Sequence, residues 1–208
     1  MTNLARWAQP WNDLGLEARM ELHADLRKRY SERHRAYHTL HHLAECLELL
    51  VKTRQLAERP DEVEIGLWFH DAIYEPRRDD NEERSAKWAA REIRRAGGDL
   101  HMQQRLIDLV MVTKGHAEPQ TPDEALLSDI DLAILGAGPK RFDEYERQIR
   151  EEYQHVPTAQ FRPGRRKVLN SFLERPRIYH TDWFRERYEA QARRNLERSL
   201  TRLAAKFF

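Results

Sequence analysis

Pro60-Asp61-Glu62-Val63-Glu64-Ile65-Gly66-Leu67-Trp68-Phe69-His70-Asp71 is an apolar helical run that ends in a histidine beside a carboxylate. Pro60 and Asp61 suit a first helical turn, and Val63, Leu67 and Trp68 carry the run to the His-Asp pair. Such a dipeptide alone says little, because it arises often by chance. Here it has company: His42 lies 28 residues before His70, and Asp131 lies 60 residues after Asp71. Together these residues offer two imidazole nitrogens and two carboxylates, ligand types that suit a first-row divalent ion such as Mn, Fe, Ni or Zn.

The neighbouring segments repeat the helical pattern and show no strand alternation. Leu16, Met20 and Tyr30 fit a first helix beginning near Asn12 or Asp13. Leu43, Leu47, Leu50 and Val51 form a second apolar stripe, with His38, His41 and His42 at its start. Asp80 or Asn81 can cap a helix that buries Trp88 and Ile93 and stops at Gly97-Gly98. Another runs from Asp99 through Leu106, Leu109, Val110 and Val112 to about Lys114. Thr121 and Glu124 have capping-box spacing, with Pro122 at the first helical position, on a helix that carries Asp131 and ends at Gly136. Further helices are predicted over 139–154, 165–174 and from Thr181 onward, the last packing through Trp183, Tyr188, Leu196 and Leu200.

The expected fold is therefore an all-α bundle of about eight or nine helices in one domain, 1–208. Its site-bearing core spans about 30–140, with C-terminal helices 141–208 packed on it. The 208 residues are 34 % charged yet 40 % apolar, and mean hydropathy is −0.88. That combination fits amphipathic helices with solvated faces better than disorder. The single cysteine, Cys46, excludes an intrachain disulfide framework and reads as core on an apolar helix face. Met1 to Gly15 lacks an apolar signal region, and no apolar run approaches membrane-spanning length. A cytoplasmic protein without a membrane partner is expected. The basic clusters at Arg91–Arg95, Arg162–Lys167 and Arg193–Arg198 read as charged solvent faces, since no aromatic stacking platform accompanies them and the net charge is only +1. Nucleic acid is not an expected partner.

His38, His41 and His42 stand at i, i+3 and i+4, so a helix through all three puts them on one face. For any one of them, a solvated or core-satisfied histidine is the simpler reading. The constellation is stronger, because helical bundles build metal sites from inward-facing side chains on separate helices. His42, His70-Asp71 and Asp131 match the H…HD…D signature of the HD superfamily of metal-dependent phosphohydrolases, which the chain resembles. The phrases Tyr37-His38-Thr39-Leu40-His41-His42, Phe69-His70-Asp71-Ala72-Ile73-Tyr74 and Asp129-Ile130-Asp131-Leu132-Ala133-Ile134-Leu135-Gly136 are similar to a bacterial branch of predicted hydrolases. Arg150-Glu151-Glu152-Tyr153 and Phe161-x-x-Gly164-Arg165 extend the likeness, which runs from about Tyr30 to the final helix. The resemblance implies an HD-type all-α fold in which His42, His70, Asp71 and Asp131 bind one divalent ion: Mn, Ni, Fe, Zn or Mg.

His38 is an alternative to His42 as ligand, or a substrate contact; His42 is preferred for its spacing to the His-Asp pair. Asp129, two residues before Asp131, should point elsewhere. Only His101 and His116 fall between the pair and Asp131, so a second metal is poorly supplied. The expected reaction is hydrolysis of a small phosphorylated metabolite or nucleotide by metal-activated water. Asp71 would orient or deprotonate that water, and His38 or His116 would protonate the leaving oxygen. Lys114 and His116 are candidate substrate contacts, with Arg35, Arg150 and Arg165 as further anion-binding candidates. Two other readings remain: a non-catalytic nucleotide- or metal-sensing module, and a di-iron oxygenase, which needs more histidines than this stretch supplies.

Overall fold

The computed structural model describes residues 4–205, with side chains from Arg6 onward. Among the described residues there is no strand. Ten helices follow in order: α1 (Leu4–Asp13), α2 (Met20–Arg29), α3 (Leu40–Thr53), α4 (Pro60–Phe69), α5 (Asn81–Arg95), α6 (Leu100–Met111), α7 (Pro122–Asp131), α8 (Pro139–Glu152), α9 (Thr158–Leu173) and α10. The last begins at Asp182–Phe184 and passes through a π-helical turn, Arg185–Glu189, into Ala190–Ala204. The all-α expectation holds. The extra helix arises because the predicted first helix is two. Gly15, at φ +70°, breaks it, and the Leu16 amide closes back on the Trp11 carbonyl at 2.8 Å. Helix α1 lies upstream of the predicted start so that Trp7 and Trp11, one turn apart, are both buried, whereas Met20 is 61 % exposed.

The chain divides into two compact units, Met1–Ile130 and Asp131–Phe208. The first is organised around α4, in which every residue from Glu62 to Phe69 is buried. Trp68 packs edge-on to Trp7 at 5.0 Å and meets His23 at 5.5 Å. Two buried acids on α4 are paired: Glu62 takes a bidentate fork from Arg105 at 2.6 and 2.7 Å. Glu64 faces Arg54 at 3.3 Å and Arg6 at 3.6 Å. Burial is the main cause that raises the Glu64 pKa above the usual carboxylate value, and both arginines oppose it.

Helix α4 has no cap from its own sequence. Asp123, near the start of α7, supplies one instead, accepting from the Glu58 amide at 2.7 Å and the Arg59 amide at 3.2 Å. Halfway along, a β-carbon at Gly66 would stand 2.9 Å from Leu127 of α7 and 3.3 Å from Leu109 of α6. The two ten-residue helices are thus tied at their starts by Asp123 and touch where Leu127 meets Gly66, while α6 is the closer neighbour of α4. Capping elsewhere follows the sequence in part: Asp80 precedes α5 but makes no side-chain cap bond, because its carboxylate takes the Arg78 fork at 2.6 and 2.7 Å. Asp99 accepts from the Met102 amide at 2.7 Å, and Thr121 accepts from the Glu124 amide at 3.2 Å.

In the second unit, α9 starts at Thr158 rather than near Arg165 and carries Pro163 within it. Its first turn forms upstream of the proline, where the Gln160 and Phe161 amides both reach the Pro157 carbonyl at 2.9 Å. A 3-10 turn, Leu132–Gly136, leaves carbonyls that α10 and its approach satisfy. Asn195, fully buried, donates to Leu135 and Ala137 oxygens at 2.8 Å, and the Tyr179 hydroxyl donates to the Leu132 oxygen at 3.0 Å. Gly136 makes this seat possible, since a β-carbon there would lie 2.7 Å from the Tyr188 carbonyl oxygen. Backbone cannot retreat as a side-chain tip can. Gly136→Ala should therefore cost about 1–3 kcal/mol, read as a lower urea midpoint at unchanged slope.

Candidate metal centre

His42 is the third residue of α3, and the helix begins only at Leu40. Thr39 is its N-cap, accepting from the His41 amide at 3.3 Å. His38 is consequently on the turn before the helix, which corrects the expectation of three histidines on one face. His41 points to solvent and faces Glu45 at 3.5 Å. His42 is 2 % exposed. The Thr39 cap decides this outcome, because an N-cap residue has extended backbone and turns the residue before it off the helical period.

His70 follows the last turn of α4, its amide bonded to the Gly66 carbonyl at 2.9 Å. Its Nδ1 lies 2.7 Å from the Leu67 carbonyl oxygen. A carbonyl can only accept, so Nδ1 carries a proton, and Nε2 is the nitrogen turned toward the other donors. That nitrogen faces a crowd. His42 Nε2 is 3.1 Å away, and Asp71 Oδ2 lies 3.0 Å from His70 Nε2 and 3.6 Å from His42 Nε2. Three electron-pair donors this close need protons or a cation between them. Donors sharing one ion at ~2.1 Å stand about 3.0–3.4 Å apart; the two contacts of His70 fall in that range, and the 3.6 Å between His42 and Asp71 lies just beyond it.

Asp131 is the last residue of α7, and the preceding residues of that helix all belong to the first unit. The register of α7 on α4, set at Asp123 and Gly66, delivers it to the same end as His70. One donor atom each from His42, Cys46, His70 and Asp131 lie within 4.8 Å of one another. Asp129 is fully buried and is not in this group. Cys46 is the residue that sequence reading left in the core. It is 1 % exposed and sits one turn after His42, with Sγ 3.7 Å from Nδ1 and 3.8 Å from Nε2. The i, i+4 spacing from a candidate ligand was the available signal. Near-equal reach to both nitrogens places the sulfur beside the ring rather than on the line of either nitrogen, so Asp71 is the better-placed fourth donor.

No family model, curated protein or solved structure matches this chain.

Around the donors, Arg35 holds the frame. Its side chain is fully buried, and its Nη1 donates to the His38 oxygen at 3.0 Å and the Asp71 oxygen at 2.7 Å. Nη2 reaches the Ala72 oxygen at 3.2 Å, and Nε reaches Glu32 at 3.3 Å. The guanidinium proposed for anions instead ties the turn before α3 to the end of α4. Arg150 and Arg165 are engaged in the same way. Arg150 donates to the Tyr153 and Val156 oxygens at 2.7 and 3.1 Å, and Arg165 pairs with Glu146.

His38 stacks on Tyr74 at 4.1 Å and lies 6.1 Å from His42 between ring centroids. Tyr30 is buried behind the donors and donates to the Trp68 oxygen at 3.2 Å. Burial, then the nearby Asp71 charge, raises its pKa well above the ordinary phenol value. Lys114 and His116 lie together on a 3-10 turn, Lys114–His116, after α6. Lys114 is bonded to Glu83 and, at 3.0 Å, to the Asp79 oxygen, while His116 holds a left-handed φ of 48° and is not in the donor group. Glu82, between them and Asp71, was not anticipated. Its pKa is raised, chiefly by burial and also by the Asp71 charge.

Two outcomes test this frame. Asp71→Asn and Asp131→Asn should each lower the affinity for Mn or Zn more than about 100-fold, and Cys46→Ser should lower it less, within the ~10–100-fold range seen for groups that only support the ligands. Dialysis followed by elemental analysis of the folded variants decides. Separately, Arg35→Met strips donors from three carbonyls and should destabilise by roughly 2–5 kcal/mol, measured by urea unfolding.

Proposed function

We propose that this chain is a metal-dependent phosphohydrolase of HD type, acting on a small phosphorylated metabolite or nucleotide. One observation supports it most: His42, His70 and Asp71 converge at 3.0–3.6 Å, and Asp131 groups with the same two histidines and Cys46 within 4.8 Å, a group that does not itself include Asp71. This is the donor set that the H…HD…D resemblance implies. The set is two imidazole nitrogens and two carboxylates, which suits a single Mn, Ni, Fe, Zn or Mg ion. When bound, such an ion lowers the pKa of its water towards ~7 and polarises a phosphoryl oxygen.

The remaining work falls to the side chains. Asp71 has one oxygen facing both imidazoles, so its carboxylate is placed to orient the attacking water and take its proton. His38, half-buried and held flat by Tyr74, is placed to protonate the leaving oxygen. His42 and His70 would supply the nitrogen donors, with the Leu67 carbonyl fixing the second ring. Lys114 would contact a substrate phosphate only by exchanging Glu83 for it. The left-handed backbone at His116 stores strain of about 1–3 kcal/mol, a pattern found at functional turns. No helix among the described residues is long and apolar enough to cross a membrane, and one buried free cysteine goes with a reducing, cytoplasmic setting.

A panel of phosphomonoesters, nucleotides and phosphodiesters, incubated with the Mn-loaded protein, tests the assignment. Phosphate release should be abolished by chelator and restored by Mn, and His38→Gln should lower kcat by about 10²-fold or more with metal content unchanged. Stoichiometric metal with no turnover across the panel would overturn the enzyme reading in favour of a binding module.

A further inference from the structure

The basic cluster Arg91–Arg95, unexplained by the site above, lines a cleft between α2 and α5. The cleft encloses about 670 Å3, within the ~300–1,000 Å3 typical of small-molecule sites. Seven basic residues line it against three acidic ones. We infer that this cleft binds a small oligophosphate, inorganic or as part of a nucleotide.

The charge is organised rather than scattered. Glu92 is 3 % exposed and holds three guanidiniums: Arg19 at 2.8 Å, Arg95 at 3.0 Å and Arg91 at 3.2 Å. One carboxylate cannot neutralise three cations, and those side chains remain 36–54 % exposed. Each therefore keeps N–H donors for a further anion, already positioned by the shared Glu92. Pre-positioning lowers the ordering cost of binding, and the planar fork suits phosphate oxygens.

Along α5, Arg84, Lys87, Arg91 and Arg95 recur every three or four residues. Like charges at that spacing destabilise a helix by about 0.2–0.5 kcal/mol per pair, a cost that an anion would reverse. Among the described residues, Lys28, Arg84 and Lys87 make no ion pair. Of the acids, Glu32 is engaged by Arg29 at 3.0 Å; Asp25, on the α2 rim, stays exposed. Those two carboxylates repel a long phosphate backbone crossing α2, which favours a compact ligand on the α5 side. Trp88 is half-buried, braced edge-on by Phe69 at 5.7 Å, and offers a wall for a base.

The test is calorimetric titration of the full chain with sodium tripolyphosphate in chelator, repeated with ATP. Saturable 1:1 binding is expected, weakened at least tenfold in Arg84→Glu/Lys87→Glu, whose side chains are both exposed, with helicity checked by circular dichroism. Arg166→Glu, an exposed cation in the second unit, should bind as wild type, and so should Asp71→Asn. Tighter binding of ATP than of tripolyphosphate, with quenched tryptophan fluorescence, would assign the nucleotide form, and equal binding the inorganic form. The inference fails if no saturable binding occurs or if Arg166→Glu weakens it equally. It also fails if Asp71→Asn abolishes it, or if affinity rises with DNA length as on a general polyelectrolyte face. It does not depend on the hydrolase reading, because chelator silences that site.

Discussion

The tie that Asp123 makes between the start of α7 and the start of α4 is the constraint on which the candidate site depends. A single carboxylate, Asp123, caps the start of α4 and so joins the beginnings of two helices of equal length. Gly66 removes the side chain that would hold Leu127 and Leu109 away. His70 and Asp131 reach one point because their helices leave from another. A register error of one residue would rotate either side chain by ~100° and dismantle the cluster.

Running a helix through the centre of a unit normally demands apolar residues on every side, yet α4 carries Glu62 and Glu64. Their burial is tolerable because each finds guanidinium partners at the edge of the core. Removing one member of such a pair costs more than the pair itself contributes, since the survivor keeps its desolvation penalty. The tryptophan cluster of Trp7, Trp11 and Trp68 fills the space against α1 one turn beyond Glu64, and each close ring pair adds about 0.5–1.5 kcal/mol beyond simple burial.

Much of this was legible in the sequence. Helix period, the Thr121–Glu124 box, the Asp99 cap and the Gly97-Gly98 stop are local signals, and each corresponds to a bond in the structure. The H…HD…D resemblance pointed to Asp131, with Asp129 turned elsewhere on the helix, and the group of potential donors contains Asp131. What stayed hidden was non-local or fell at an edge. The Asp123 cap acts on amides more than sixty positions away, and nothing in its own neighbourhood reveals that. Gly15 was readable as a breaker, but the apolar pattern continued across it. His38 was misplaced because one capping threonine ends the helix just before it matters. Cys46 was assigned by its apolar neighbours, although its distance from His42 is one helical turn.

Arg35 has a consequence of a different kind. Three of its four described bonds go to backbone oxygens of His38, Asp71 and Ala72, and main-chain oxygens are the same whatever side chain they belong to. The clamp is therefore blind to the identity of the residues it holds. Scaffold and chemistry are uncoupled at these positions, so their side chains are free to be exchanged while the loop geometry persists. Such a frame lets a lineage, or an engineer, try new reactivity at positions 38, 71 and 72 without rebuilding the pocket each time.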